Sequence, residues 1–199
     1  MSTELSTAET AQPAEPVQTA QTAVLPVAGP EHLPRSGTYR AAGARCILEL
    51  AAVLGPLTTL RCRLAVLDAH LVVDDAGHGR ELLLEAGVPS LRSNRPLAGR
   101  RWSGRRGLDA RGHGVLRLES TRIAAVDDQE WRIRARLTLR GTPIDVRLHT
   151  RIAARAEDRI ALLATGRVSA GDLRRTCSIR FPRTVPATGL RLVLAADFR

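Results

Sequence analysis

The residues that could do chemistry in this chain are its histidines, cysteines and serines and one arginine-rich segment. The histidines are His32, His70, His78, His113 and His149. None of them shows the H-x-x-x-H spacing that places two ligands on one helix face, so the pattern does not predict a metal site. Ser90, Ser103 and Ser120 lack the G-x-S-x-G context of a nucleophile elbow. The sequence therefore predicts no catalytic residues, no metal, no cofactor and no enzyme activity.

The cysteines indicate the redox state of the compartment rather than a catalytic role. Cys46, Cys62 and Cys177 are odd in number, widely spaced and without a C-x-x-C pair. This spacing favours neither a disulfide framework nor a zinc site. Each lies on or beside an apolar strand position, where a free thiol behaves as a small hydrophobe. A reducing compartment is the simplest interpretation.

The segment from Leu91 to Arg111 is polar, rich in glycine and dense in arginine. Arg100 and Arg101 precede Trp102, and basic residues around an aromatic ring can hold phosphates and stack a base. A solvated flap in an arginine-rich protein explains the same composition. A third interpretation makes it a short helix or flap over a ligand site, with Trp102, Arg100 and Arg101 as head-group contacts.

The elements that must position these residues are strands. From Trp131 to Leu148 apolar and polar residues alternate on both sides of Gly141-Thr142-Pro143, which predicts a hairpin with one buried face. Similar runs predict further strands, among them Thr58 to Val66, Leu67 to Val73 and Thr176 to Phe181. Their regular punctuation by glycine and proline is typical of an all-β sandwich or barrel.

Charge divides the chain into a tail and a body. The net charge is +10, all 30 basic residues are arginine, and residues 1–34 contain four glutamates and no arginine. Residues 1–35 are rich in Ala, Thr, Pro and Glu, and this composition predicts a disordered tail ahead of one domain over 36–199. The tail lacks the basic and apolar regions of a signal peptide, and no run reaches the length of a membrane span. We expect a cytoplasmic protein without a transmembrane segment.

Six short motifs occur in the order and at the approximate spacing of one known family. They are Gly37-Thr38-Tyr39-Arg40, Pro89-Ser90-Leu91, Gly107-Leu108-Asp109-Ala110, Leu116-Arg117-Leu118-Glu119-Ser120-Thr121, Leu137-Thr138-Leu139-Arg140-Gly141 and Val168-Ser169-Ala170-Gly171-Asp172-Leu173. Together they resemble the YceI-like family of lipocalin-like isoprenoid-binding proteins, in divergent form. The His-Ser pair usual in that family is replaced by Ala44-Arg45.

The resemblance implies a fold and a function. The fold is an antiparallel lipocalin-like β-barrel of about eight strands, with a helix or flap over its mouth. The function is non-enzymatic binding or carriage of an isoprenoid- or quinone-like lipid, and a homodimer is compatible with it. The apolar residues that we expect to line the ligand tunnel are Leu48, Leu50, Leu64, Leu84, Leu116, Leu118, Ile133 and Leu137.

Two alternatives remain open. The basic body is compatible with an interaction module for nucleic acid or anionic membrane surfaces, although arginine at alternating strand positions spreads the charge and makes a nucleic-acid groove the weaker expectation. A degenerate barrel that has lost its ligand is the other alternative, because the same leucines are also able to fill a core.

Overall fold

The computed structural model describes residues 34–199. Most of the predicted tail lies outside the described residues. Its last two residues already contact the domain, because Pro34 is buried and the Arg35 amide donates to the Glu157 carbonyl at 3.0 Å.

The described residues form nine strands, two α-helices and a 3₁₀ turn at Gly43–Arg45. In chain order the strands and helices are β1 (Gly37–Arg40), β2 (Cys46–Leu54), β3 (Leu57–Val73), β4 (Gly79–Ser93), α1 (Pro96–Trp102), β5 (Val115–Ala125), β6 (Glu130–Leu139), β7 (Thr142–Ala156), β8 (Arg159–Ser169), α2 (Ala170–Cys177) and β9 (Gly189–Phe198).

Eight of these strands close into an antiparallel barrel. The hydrogen-bonded order is β3-β2-β9-β8-β7-β6-β5-β4, and β4 pairs again with β3. β1 is a short additional strand beside the end of β3, where Gly37 faces Val73, and its Arg40 exchanges two backbone hydrogen bonds with Arg199 directly after β9. The predicted all-β, lipocalin-like barrel of about eight strands is therefore confirmed, and closure leaves no free edge within the ring.

The 17-residue strand β3 pairs with β2 along one edge and with β4 along the other, which closes the ring. The sequence predicts two strands here, Thr58 to Val66 and Leu67 to Val73, and this division is wrong. Leu64 and Val66 face the core, and then the register with β4 shifts between Val66 and Asp68, so that Ala69 and Leu71 take the inner positions. A β-bulge adds one residue and changes the phase of the alternation without ending the strand.

The predicted hairpin is present, with a tighter turn than the sequence suggests. Leu139 pairs with Thr142, which leaves Arg140 and Gly141 as the two-residue loop. Both have positive φ, 53° and 71°, the combination that the hairpin turn of type I′ requires. Thr142 and Pro143 already belong to β7, and the proline sits at the start of that strand, where its missing N–H is tolerated.

The predicted strand from Thr176 to Phe181 is wrong, because α2 occupies its first part. Ser169 caps this helix by accepting a hydrogen bond from the Asp172 amide at 3.0 Å. The helix ends at Cys177, since Ser178 has a left-handed φ of 55°. The Ser-x-x-Asp spacing at Ser169 is typical of a helix start. The β-branched residues after it favour a strand and therefore led to the wrong prediction.

Substitution of Gly107 tests the packing of the loop after α1. An added Cβ would lie 1.8 Å from the Trp102 carbonyl oxygen, whereas one at Gly114 would meet nothing within 4 Å. We expect Gly107→Ala to lower the free energy of unfolding by about 1–3 kcal/mol or more. Gly114→Ala is the matched control and should change it by less than about 0.5 kcal/mol. Urea unfolding of both variants measures the difference, and equal stabilities would contradict the described path of this loop.

Candidate functional site

The inner face of the barrel is the candidate site, and it carries all the predicted lining residues. Leu48, Leu50, Leu64, Leu84, Leu116, Leu118, Ile133 and Leu137 are each at most 4% exposed. Cross-strand pairs bring several of them side by side, such as Leu48 with Leu64 and Leu118 with both Leu84 and Leu137. The structure thus gathers them on one continuous apolar wall. Their contact with a ligand stays a prediction.

The barrel has two ends of different construction. At the helical end lie the β2–β3 turn, the β4–β5 connection with α1, the β6–β7 turn and the β8–β9 connection with α2. At the turn end lie the short β3–β4, β5–β6 and β7–β8 connections. Because neighbouring strands are antiparallel, successive connections alternate between the two ends, and both long connections, β4–β5 and β8–β9, are at the helical end.

The helical end is covered by packed side chains. Trp102 of α1 is fully buried and stacks on Phe181 with ring centroids 5.6 Å apart. Leu108 and Leu173 are buried with it in the core cluster. The Arg180 amide donates to the Arg106 carbonyl at 2.9 Å, which joins the two connections into one lid. The predicted short helix over one mouth is therefore present.

The structure separates the three predicted head-group contacts at this lid. Trp102 points into the core, whereas Arg100 and Arg101 are exposed to solvent. One ligand group therefore does not touch all three in this arrangement, and Trp102 offers no exposed ring for stacking a base. Whether Arg100 and Arg101 contact a head group stays a prediction.

The turn end holds a polar cluster that the sequence analysis missed. A β-bulge between Ile152 and Ala154 shifts the register of β7, so that Arg155 pairs with the buried Ile160. Without the extra residue, alternation would place Arg155 on the outer wall. Its guanidinium carbon instead lies 5.7 Å from the centre of the Trp131 ring. The bulge alone brings this cation to the inside of the barrel. The residue pattern of β7 does not reveal the bulge.

Trp131 and Thr150 complete the cluster. They are directly opposite each other on β6 and β7, and are 1% and 3% exposed. The Trp131 ring lies against Gly79, where an added Cβ would be only 2.7 Å away. Within residues 34–199, Trp131 Nε1, Thr150 Oγ1 and Arg155 Nε and Nη2 are buried without a hydrogen-bond partner. Such groups are costly to bury unless a partner satisfies them.

Desolvation dominates the electrostatics of Arg155. Burial lowers the pKa of its guanidinium, and the carboxylates of Asp128 and Asp127 oppose that shift without forming an ion pair to it among the described residues. Arginine nevertheless keeps its proton in proteins. The cluster therefore presents a retained positive charge and several N–H and O–H donors to the barrel interior, and such a set suits an acceptor oxygen or an anion.

The serine hydroxyls take part in hydrogen bonds within the fold, and the cysteine thiols are removed from solvent. Ser90 Oγ accepts from the Ala65 amide at 2.7 Å and donates to the Gly87 carbonyl at 2.6 Å, and Ser120 Oγ accepts from the Leu82 amide. Burial raises the pKa of the Cys46 thiol to about 12 and that of Cys62 to about 11. His113 Nδ1 lies 3.3 Å from Asp109, an i,i+4 contact within the lid loop. Within the described part of the chain, no group of three His, Cys, Asp or Glu residues is arranged to hold a metal ion.

The helices of the described region are short. Over residues 34–199 none has the length and apolar character that crossing a bilayer requires.

Comparison with known proteins shows similarity in structure and not in sequence. No family model and no curated protein matches the chain. Among solved structures, BcnA from Burkholderia cenocepacia superposes with a TM-score of 0.66 at 12% identity, covering 79% of this chain and 98% of that one. The Campylobacter jejuni YceI protein gives 0.56 at 12% identity, covering 94% and 97%. A polyisoprenoid binding domain from Saccharophagus degradans gives 0.52 at 15% identity, covering 83% and 99%.

Barrel and comparisons together define the structural class. The chain is a closed, eight-stranded, lipocalin-like β-barrel with a helical lid at one end. Its fold is that of the YceI proteins, as the sequence motifs predicted.

The buried thiols give a pH prediction. The pKa of a thiol rises from 9.0 in the unfolded chain to about 12 at Cys46 and about 11 at Cys62. Above pH 9 the unfolded state therefore loses these protons first, and the free energy of unfolding falls as pH increases. Urea unfolding between pH 8 and 11 should show this decline, and the Cys46→Ala, Cys62→Ala double variant should show a shallower one. Equal slopes would contradict the described burial of the two thiols.

Proposed function

We propose that the protein is a non-enzymatic carrier that holds a hydrophobic ligand inside the barrel, an isoprenoid- or quinone-like lipid in particular. The observation that carries the proposal is the inner wall, where apolar side chains give way at the turn end to a cluster of donors without hydrogen-bond partners. A purely structural core has no use for a partly buried arginine with two nitrogens buried without a hydrogen-bond partner. An amphiphilic ligand does, because its oxygen atoms supply the missing acceptors.

The two chemistries of the wall suit the two parts of such a ligand. The tail would lie against the leucines and be held by desolvation, at about 25 cal/mol for each Å² of apolar surface removed from water. The head would lie toward Arg155, Trp131 and Thr150, where a quinone carbonyl or a phosphate oxygen can accept hydrogen bonds. The YceI-type fold supports the proposal, since one of the similar structures is a polyisoprenoid binding domain.

Other features of the chain fit this role. The free, buried cysteines support residence in a reducing compartment, and cytoplasmic location belongs to the proposal on that ground. A homodimer remains a prediction. The serines and thiols described above have structural surroundings that suit a binding protein better than a nucleophilic enzyme.

Extraction of the purified full-length protein tests the proposal directly. We expect organic solvent to release a lipid with an apolar chain, identified by mass spectrometry, and native mass spectrometry to show the corresponding mass increase before extraction. A protein that carries no lipid and takes up none when incubated with long-chain quinones would contradict the proposal and favour a barrel filled by its own side chains.

Arg155 allows a sharper test with a defined probe. We expect the native protein to bind the fluorescent fatty acid cis-parinaric acid, and Arg155→Met to weaken this binding about tenfold or more, since a hydrogen bond to a charged group contributes about 1.5–3 kcal/mol. The methyl ester of the probe has no charge, so the same substitution should weaken its binding much less. Arg151→Met, on the outer face of the same strand, is the matched control. If Arg155→Met affects acid and ester equally, the cluster does not hold the head group.

A further inference from the structure

The helical end exposes three leucines that the fold does not use. Leu54 and Leu57 face each other at the tip of the β2–β3 turn, and Leu97 lies on the first turn of α1. They are between 38% and 74% exposed, and Leu97 is the most exposed of the large apolar residues described. Water-exposed leucines at the tips of adjacent connections form an apolar patch without a partner in this chain.

The turn tip and α1 belong to one surface. Arg95 Nη1 donates to the Thr59 carbonyl and to the Thr184 carbonyl, both at 3.3 Å. The Asn94 side chain accepts from the Arg61 amide at 2.9 Å. These bonds hold the β2–β3 hairpin, α1 and the segment before β9 together, so the leucines and the lid form one face. We call this face the lid surface and define it by residues 54–57, 94–114, 140–141 and 170–188.

The lid surface is strongly basic, and most of its arginines have no carboxylate partner. It contains eleven arginines and two aspartates, Asp109 and Asp172. Within the described chain, its arginine–carboxylate ion pair is Arg175 with Asp172, and His113 Nδ1 lies 3.3 Å from Asp109 Oδ2. The arginines without an ion pair are Arg95, Arg100, Arg101, Arg105, Arg106, Arg111, Arg140, Arg174, Arg180 and Arg183. Unpaired like charges on one face repel one another, and an anionic partner removes that repulsion.

The turns at the opposite end of the barrel are acidic. They contain Asp74, Asp75, Asp127, Asp128, Glu157 and Asp158 and no arginine, and arginines just outside them pair with two of these, Arg80 with Asp74 and Arg35 with Glu157. The molecule is therefore polarised along the barrel axis. An anionic surface attracts the lid and repels the turn end, which orients the molecule before contact.

We propose that the lid surface docks onto an anionic phospholipid bilayer, with Leu54, Leu57 and Leu97 entering the boundary between head groups and acyl chains. The arginines then lie at the level of the lipid phosphates, where their planar forks bind oxygen pairs. Exposed leucine beside cationic side chains is the composition of interfacial membrane contacts. Nucleic acid fits less well, because its phosphates offer nothing to cover the leucines and the lid's Trp102 is buried and unable to stack on a base.

A groove on the same face suits a lipid head group. It lies between α2 and the segment after it, has a volume of about 430 Å³, and is bordered by Arg174, Arg180 and Arg183 with Phe181 and Val185 among its apolar lining. Three cations at its border suit the phosphate of a lipid head group. This docking does not depend on a ligand inside the barrel, so it stands or falls separately from the proposed carrier function.

Vesicle sedimentation of the full-length chain tests the proposal. We expect binding to vesicles of equal parts phosphatidylcholine and phosphatidylglycerol at low salt, and little binding to pure phosphatidylcholine. Each arginine near an anionic leaflet contributes about fivefold to affinity, so Arg100→Glu with Arg101→Glu should weaken binding more than tenfold. The matched control is Arg132→Glu with Arg134→Glu on the outer wall of β6, which should have a much smaller effect.

The leucines separate bilayer insertion from simple charge attraction. We expect the triple variant Leu54→Ser, Leu57→Ser, Leu97→Ser to lose at least tenfold in vesicle binding with an unchanged melting temperature. The control triple Ile47→Ser, Leu67→Ser, Leu163→Ser replaces wall residues of similar exposure, 42–61%, and should bind normally. Three outcomes would each overturn the proposal. The first is no binding to the anionic vesicles, and the second is an equal loss of binding in both triple variants. The third is tighter binding to duplex DNA than to vesicles, with no effect of the lid leucines.

Discussion

The pairing of β3 with β4 is the constraint on which the rest of this structure depends. It closes an eight-stranded ring, and closure turns the alternation of each strand into an inside and an outside. The ring closes because β3 is long enough to pair with β2 through its first half and with β4 and β1 through its second. An open sheet of the same strands would expose two edges and leave one apolar face to be covered by something else.

Bulges adjust this plan at the places where regular alternation would fail. In β3 a bulge returns Ala69 and Leu71 to the core after Asp68 has pointed outward. In β7 the same device brings Arg155 to the inner side, over the ring of Trp131. The first bulge preserves the hydrophobic wall, whereas the second interrupts it with a charge. Two nitrogens of that arginine are buried without a hydrogen-bond partner among the described residues, which costs stability. In the proposed function, this arginine contacts the head group of the ligand.

The two ends of the barrel differ in charge because they differ in connection length. The helical end has two long connections, and these carry ten arginines and the exposed Leu97. Tight turns at the other end favour aspartate, whose side chain accepts from nearby amides, as Asp74 does from Ala76 and His78. The arginines of the walls are partly neutralised by such neighbours as Glu49, which lies near Arg61 and Arg63. Net charge alone shows none of this separation.

The sequence by itself determined the fold class, the strand hairpin from Trp131 onward, the short helix beside Trp102 and the apolar set that faces the core. Each of these depends on local periodicity or on motifs read along the chain, which physical chemistry translates directly into faces and turns. The tertiary structure alone decided that β3 continues through Leu67, that Trp102 points away from Arg100 and Arg101, and that Arg155 joins Trp131 and Thr150. Two of these outcomes depend on register shifts in the β3–β4 and β7–β8 pairs, where a one-residue shift exchanges inside for outside without changing the local pattern. The direction of Trp102 depends on its packing against Phe181, which lies in a different connection.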